Sequence, residues 1–232
     1  GKWHLGNKHP YLPTNHGFDE YFGIPYSNDM GQKIPLIRDS TVIEEDVDQR
    51  GLTRRYTEHA LEFIRDHREE PFFLYLPYTF PHTPLFASET FQDTSKRGLY
   101  GDVVQEIDWS VGQILQSLQN HGLAKNTLVF FTSDNGPWLA RKLHGGSAGL
   151  LRDGKGTCWE GGMREPAIAW WPGTIKEGQV TSALTTSMDL FTTSLKLGGT
   201  PIPQDRPIDG KDLTPLLKGQ TDKVHEVIFY YR

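Results

Sequence analysis

Two polar segments follow apolar runs in this sequence, and their side chains are of types that bind cations and transfer protons. Asp134 and Asn135 come after the run at 127–132, and His82 comes after the run at 72–76, between two prolines. Carboxylate and amide oxygens suit Ca²⁺ or Mg²⁺ rather than Zn²⁺. Two such ligands do not complete a coordination shell, and Asp-Asn-Gly is equally typical of a plain turn.

Cationic side chains provide a second candidate site. Lys2 and His4 are one residue apart, so in an extended chain both point to one side and suit an oxyanion such as sulfate or phosphate. Lys155 lies between two glycines that let backbone approach a ligand closely, without the spacing of a phosphate-binding Walker loop. Lys2, His4, Lys155 and His82 are each also compatible with a solvated surface loop.

Apolar periodicity predicts the elements that position these residues. After a loop-dominated stretch at 1–50, we expect helices at about 53–69, 100–121 and 188–197, and strands at 72–76, 127–132 and 167–171. The order strand, helix, strand predicts an α/β fold with a mostly parallel central sheet and flanking helices. Because parallel strands end at the same edge of a sheet, His82 and Asp134 are expected to be neighbours.

Composition excludes several classes of protein. The chain has 232 residues, 36% of them hydrophobic, and a net charge of −5, which argues against a nucleic-acid partner bound through its phosphates. No run approaches about 18 consecutive apolar residues, so no membrane span is predicted. The single cysteine, Cys158, excludes an internal disulfide and a thiolate zinc cage.

Ordered motifs along the whole chain resemble the sulfatases of the alkaline phosphatase superfamily, arylsulfatase branch. The matching segments are GKWHLG at 1–6, HGFD at 16–19, GIPYS at 23–27, PHTP at 81–84, SDNGP at 133–137, GKGTCWEGGMREP at 154–166 and DGKDL at 209–213. The resemblance implies an alkaline phosphatase-like fold and sulfuric ester hydrolysis.

The resemblance also implies roles for individual residues. Asp134 and Asn135 would bind Ca²⁺, while Lys2 and His4 would face the nucleophile and the sulfate. Ser27 would lie near the sulfate or its leaving oxygen. His82 and Lys155 would contact the leaving-group side, with His82 as the better candidate for the general acid.

The family nucleophile is a formylglycine made within a Cys/Ser-x-Pro-x-Arg motif, which this sequence does not contain. Both the nucleophile and the other Ca²⁺ ligands are therefore expected upstream of residue 1. The chain also closes on a β-like run at 227–232. We expect an internal segment, incomplete at both ends and inactive alone, with the middle of a catalytic domain at 1–200 and the start of a C-terminal subdomain at 201–232.

Other functions and the substrate stay open at this point. A phosphatase or phosphonate hydrolase of the same superfamily is one alternative, and a non-catalytic module that binds sulfated glycans is another. The partner would be a small sulfate ester or a sulfated glycan, recognised by loops at 28–47 and 137–151 that include Arg141 and His144. By resemblance, the protein is expected to be secreted, periplasmic or lysosomal.

Overall fold

The computed structural model describes residues 1–230 and divides them into two compact units. The first comprises Gly1–Leu123 and Trp138–Ser147, and the second comprises Ala124–Pro137 and residues 148–230. In the described residues, no helix combines the length and apolarity needed to cross a bilayer. The division at residue 200 that was expected from sequence stays a prediction.

A small antiparallel sheet lies in the first unit, within the stretch predicted as loop. Its strands are β1 (Phe22–Gly23), β2 (Leu36–Arg38) and β3 (Thr41–Glu44), in that spatial order. A parallel bridge between Lys2 and Ile24 places the first residues of the chain beside the segment that follows β1.

Two helices form most of the packing in the first unit and confirm the predicted periodicity. They are α1 (Leu52–Asp66) and α2 (Gly98–Asn120). Tyr56 of α1 joins Val103 and Ile107 of α2 in one buried cluster. Burying each such side chain stabilises the folded state by roughly 1.5–3 kcal/mol. The helix pair is therefore a stable packed core against which the neighbouring loops are held.

A buried polar network ties the segment before His82 to both helices. The Tyr78 hydroxyl lies 2.7 Å from Oγ of Ser110 on α2, and the Thr79 hydroxyl lies 3.0 Å from that of Tyr56 on α1. Because the hydroxyls satisfy one another away from water, they fix the path of the chain into the loop that carries His82.

The predicted buried strand at 72–76 is wrong. This segment is extended but forms no ladder with any described residue, and Phe73 and Tyr75 are 63% and 55% exposed. Its side chains alternate between a half-buried and an exposed face, so only one side packs against the unit. The strand ladders described in residues 1–230 are antiparallel, in contrast to the parallel pairing expected from element order.

The second unit is built around an antiparallel strand pair. The strands β4 (Val129–Thr132) and β5 (Ala167–Trp170) pair with Val129 opposite Trp170 and Thr132 opposite Ala167. Its helices are α3 (Glu160–Met163), α4 (Ser187–Leu197) and α5 (Thr214–Leu217). Residues 227–230 form no strand, and residues 231 and 232 lie outside the described part of the chain.

A buried carboxylate organises the start of α4. Asp189 accepts hydrogen bonds from the backbone N–H of Thr186 at 2.7 Å and of Lys211 at 2.7 Å. Nε2 of His225 lies 2.8 Å from the same carboxylate. One side chain therefore caps the helix and holds two later segments against it.

Candidate active site

Strand register places two carboxylates at one edge of the β4–β5 pair. Thr132 ends β4 opposite Ala167, the first residue of β5. Asp134 follows β4 by two residues and Glu165 precedes β5 by two, so the antiparallel register brings the two together. The order of elements along the sequence does not identify Glu165 as a site residue. The antiparallel register of β4 and β5 does, because it places Glu165 near Asp134.

The electrostatics at this edge fit a hard cation. Burial raises the pKa of the Glu165 carboxyl, and the negative charge of Asp134 raises it further. Oε1 of Glu165 is buried without a hydrogen-bond partner. Two nearby carboxylates and the Asn135 amide are oxygen donors of the kind that Ca²⁺ prefers. No cluster of three or more His, Cys, Asp or Glu side chains arranged for a metal occurs in residues 1–230, so the described donor set is partial.

Glycines pack the segments of the second unit backbone to backbone around these oxygens. The Gly136 amide donates to the Gly162 carbonyl at 3.2 Å, and a Cβ on Gly136 would lie 1.8 Å from the Gly161 carbonyl oxygen. The Lys155 amide donates to the Pro137 carbonyl at 2.9 Å. Lys155 thus lies on a hydrogen-bonded segment beside the Asp134 loop. Gly136 and Gly161 thus make close backbone contacts within the chain. The expectation that the glycines flanking Lys155 let backbone approach a ligand stays a prediction.

Lys2 and His4 lie on a segment that runs beside 24–27 in the first unit. The Lys2 amide donates to Pro77 at 2.7 Å, and the His4 amide donates to Pro25 at 3.1 Å. The condition that the chain be extended through both residues is not met at His4, which has a φ of 60°. A non-glycine residue in this region is strained, and such strain is concentrated at functional sites.

Hydrogen bonding fixes the tautomer of His82. Its Nδ1 lies 2.8 Å from the Thr83 carbonyl oxygen and 3.3 Å from Oγ of Ser27. Because a carbonyl oxygen only accepts, Nδ1 carries a hydrogen, and any change in the protonation of the ring takes place at Nε2. The structure therefore brings Ser27 and His82 together, as an active site would require.

An aromatic and a cationic side chain line the same region of the first unit. The rings of His82 and Trp138 have centroids 5.7 Å apart, and the Arg141 guanidinium lies 4.1 Å from the Trp138 ring centroid. The Arg141 side chain is thus held on the Trp138 ring, and His144 is exposed. Recognition of the substrate by the 137–151 loop stays a prediction.

The predicted residues fall into two groups. Lys2, His4, Ser27 and His82 belong to the first unit, and Asp134, Asn135 and Lys155 belong to the second. The close approach of His82 to Asp134 stays a prediction.

Comparison with known proteins gives one consistent family. The sulfatase family profile matches residues 1–200. N-acetylgalactosamine-6-sulfatase of Mus musculus is 51% identical over all of this chain, which covers 48% of that protein. An arylsulfatase of Hemicentrotus pulcherrimus is 40% identical, with 100% of this chain and 45% of that protein covered.

Solved structures agree. The PsFucS1 sulfatase from Pseudoalteromonas sp. superposes with a TM-score of 0.86 at 29% identity, over 94% of this chain and 51% of that one. The chain spans about half the length of the curated relatives it matches. Its fold is the α/β, alkaline phosphatase-like fold of these neighbours, and the chain belongs to the sulfatase family.

Proposed function

We propose that the protein containing this chain hydrolyses sulfate esters, with His82 as the general acid. The observation that carries the proposal is the contact of His82 with Ser27: Nδ1 of His82 lies 3.3 Å from Oγ of Ser27 and 2.8 Å from the Thr83 carbonyl oxygen, which holds the ring in one position to protonate the leaving alcohol oxygen. Membership of the sulfatase family supports the same chemistry.

The cationic residues of this chain bind the sulfate. Lys2 and Lys155 neutralise charge on its oxygens, His4 faces the nucleophile and the sulfate, and Ser27 lies near the leaving oxygen beside His82. These interactions hold the sulfate in place while the bond from sulfur to the leaving oxygen breaks.

Asp134 and Asn135 hold Ca²⁺, and the unpartnered Glu165 oxygen beside them supports a cation at this edge. When bound, Ca²⁺ supplies positive charge at the sulfate, and a formylglycine expected outside this chain supplies the attacking hydroxyl. Because that nucleophile is absent from the sequence, the chain alone is inactive.

The substrate is a sulfated glycan. Two relatives that are about half identical to this chain over its whole length are N-acetylgalactosamine-6-sulfatases. Their similarity supports a 6-O-sulfate on a galacto-configured sugar as the group that is hydrolysed. The Trp138 ring with Arg141 stacked on it suits the apolar face and hydroxyls of such a sugar. Glycans of this kind lie outside the cytosol, so we infer a secreted, periplasmic or lysosomal protein.

Sulfate release by the full-length protein tests the proposal. We expect turnover of N-acetylgalactosamine 6-sulfate and of 4-nitrophenyl sulfate, loss of about 10²-fold or more in kcat for the sugar in His82→Ala, and no loss in the control Asp108→Asn. Faster cleavage of 4-nitrophenyl phosphate together with bound zinc would instead indicate a phosphatase. Binding of the sulfated sugar without any turnover would indicate a glycan-binding module.

A further inference from the structure

A short turn holds the Arg141 guanidinium against the Trp138 ring. The Arg141 amide donates to the Trp138 carbonyl at 2.9 Å, and Cζ of Arg141 lies 4.1 Å from the ring centroid. A cation over the face of an indole is attracted by the electrons of the ring. The backbone turn and the stacking therefore favour one position of the long Arg141 side chain, although this side chain is exposed.

Close backbone packing continues the turn. The Gly145 amide donates to the Lys142 carbonyl at 3.0 Å, and a Cβ on Gly145 would lie 2.0 Å from the Trp138 carbonyl oxygen. Lys142 has a φ of 51°, a left-handed conformation that persists in a non-glycine residue only where the surroundings impose it. The segment that carries Arg141 therefore has a defined shape before any ligand binds.

The Trp138 ring also contacts the proposed general acid. The ring centroids of His82 and Trp138 are 5.7 Å apart. The Arg141 guanidinium is therefore no farther from the imidazole than about the two distances combined, a span that a disaccharide covers. All three residues belong to the first unit, so this arrangement is internal to that unit.

The chemistry of a sulfate ester fixes on which side the rest of the substrate lies. When the bond from sulfur to oxygen breaks, the alcohol oxygen keeps the electron pair and takes a proton from the general acid. Everything else that the glycan carries is attached to this leaving oxygen. The glycan therefore extends from the side on which His82 acts, and Arg141 is joined to that side through Trp138.

Charge indicates what Arg141 binds. The chain has a net charge of −5, yet residues 137–151 contain no Asp or Glu and include Arg141, Lys142 and His144. Asp29 interacts with Arg141 through its charge, but within residues 1–230 no ion pair or hydrogen bond joins the guanidinium to a carboxylate. Stacking occupies the face of the guanidinium, so its N–H groups point outward in its plane. There they match two oxygens of a carboxylate or a sulfate.

We propose that Arg141 is a specificity-determining residue that binds a second anionic group of the substrate, a carboxylate or a further sulfate beyond the ester that is hydrolysed. The inference rests on the proposed function and extends it, because it makes an acidic glycan a better substrate than a neutral one that carries the same 6-sulfate. Arg141 takes no part in the proton transfer, so its contribution lies in binding.

Matched substrates of the full-length protein test the proposal. The first pair is N-acetylgalactosamine 6-sulfate linked through its anomeric carbon to a hexuronate, and the methyl ester of that hexuronate, which lacks only the negative charge. We expect wild-type protein to favour the acid about tenfold in kcat/KM, mainly through KM, because the ion pair is present in the ground state and the transition state alike. A second pair, with a neutral hexose in place of the hexuronate and with or without a sulfate on that hexose, tests sulfate as the bound group.

Variants of two neighbouring cations separate a specific contact from general attraction. Arg141→Gln should lower kcat/KM for the acid about tenfold more than for the methyl ester. Arg141→Lys should keep part of the preference, because an ammonium retains the charge without the planar fork. The adjacent control Lys142→Gln should change the preference less than about twofold.

Each outcome decides between the role of Arg141 and the proposed function. Equal losses on acid and methyl ester in Arg141→Gln, together with equal losses on the second pair, would overturn the role of Arg141 and leave the proposed function standing. Wild-type protein that favours the anionic member of neither pair would do the same. A preference confined to the sulfated pair and lost in Arg141→Gln would support the role, with sulfate as the bound group. Wild-type protein that hydrolyses neither these disaccharides nor 4-nitrophenyl sulfate would overturn the proposed function and the inference with it.

Discussion

The Asn28 side chain donates a hydrogen bond to the Pro84 carbonyl oxygen at 2.9 Å and thereby joins two loops that are 56 positions apart in the sequence. The same amide nitrogen reaches Gln49, so three segments of the first unit meet at one buried side chain. Ser27 and Thr83, the two partners of His82 Nδ1, are the immediate sequence neighbours of Asn28 and Pro84.

Replacing Asn28 with Ala should destabilise the first unit by about 2 kcal/mol, because the two hydrogen bonds from its amide to Pro84 and Gln49 are lost. We also expect kcat of the full-length protein to fall about tenfold, since His82 loses its fixed position. Urea unfolding and sulfate release measure the two effects. The exposed control Asn126→Ala should stay within about 0.5 kcal/mol of wild type, and an Asn28→Ala protein with unchanged stability would contradict the clamp.

Two glycine substitutions should change the free energy of unfolding in opposite directions. A Cβ on Gly136 would lie 1.8 Å from the Gly161 carbonyl oxygen, so Gly136→Ala should cost about 1–3 kcal/mol and weaken Ca²⁺ binding by displacing the Asp134 loop. Gly112 lies within α2 with open space around it, so Gly112→Ala should stabilise by about 0.5–1 kcal/mol. Denaturant unfolding with and without excess Ca²⁺ checks both, and a harmless Gly136→Ala would mean that the backbone contact is absent.

Removal of the Asp189 carboxylate should destabilise the second unit. Asp189→Ala leaves the Thr186 and Lys211 amides and the His225 ring without their acceptor, for a loss of about 3 kcal/mol. The matched control is Asp205→Ala on the surface, where the carboxylate pairs with the adjacent Arg206 and the expected change is below about 0.5 kcal/mol. Equal unfolding midpoints for the two variants would rule out the capping role of Asp189.

His67 should make stability depend on pH near neutrality. Hydrogen bonds to Glu70 and then to Glu20 raise the pKa of His67 above its ordinary value. A raised folded-state pKa gives stabilisation that is complete below the unfolded pKa of about 6.5 and disappears as pH rises through the folded value. The difference in unfolding midpoint between wild type and His67→Gln should therefore be larger at pH 6 than at pH 9. The exposed, non-titrating control Asn126→Ala should show no such trend, and a constant difference for His67→Gln would refute the assignment.

Periodicity was enough to locate the long elements. Helices predicted at 53–69 and 100–121 are found at Leu52–Asp66 and Gly98–Asn120, because apolar residues recur along them at helical spacing over several turns. The strands β1 to β3 were missed, since two to four residues are too few to establish an alternating pattern. The run at 72–76 was misread because five apolar residues do not reveal that one face is exposed.

His82, Asp134 and Asn135 were identified because each follows an apolar run in the sequence. This criterion does not identify the residues that contact them in the fold. Glu165 approaches Asp134 only through the antiparallel register of β4 and β5. Ser27 approaches Nδ1 of His82 only through the packing of two loops that are 55 positions apart in the sequence. Both relationships depend on three-dimensional pairing that residue type and spacing do not encode.

The hydrogen bonds to Asp189 fix the positions at which Lys211 and His225 contact α4. They place no constraint on the path of the chain between the end of α4 and Lys211. The connection at 200–207 has no helix or strand and contributes none of those bonds. Its length and composition are therefore free to change while Lys211 and His225 keep their places. In evolutionary terms this is a position where a sulfatase can gain or lose residues while the packing around Asp189 stays the same.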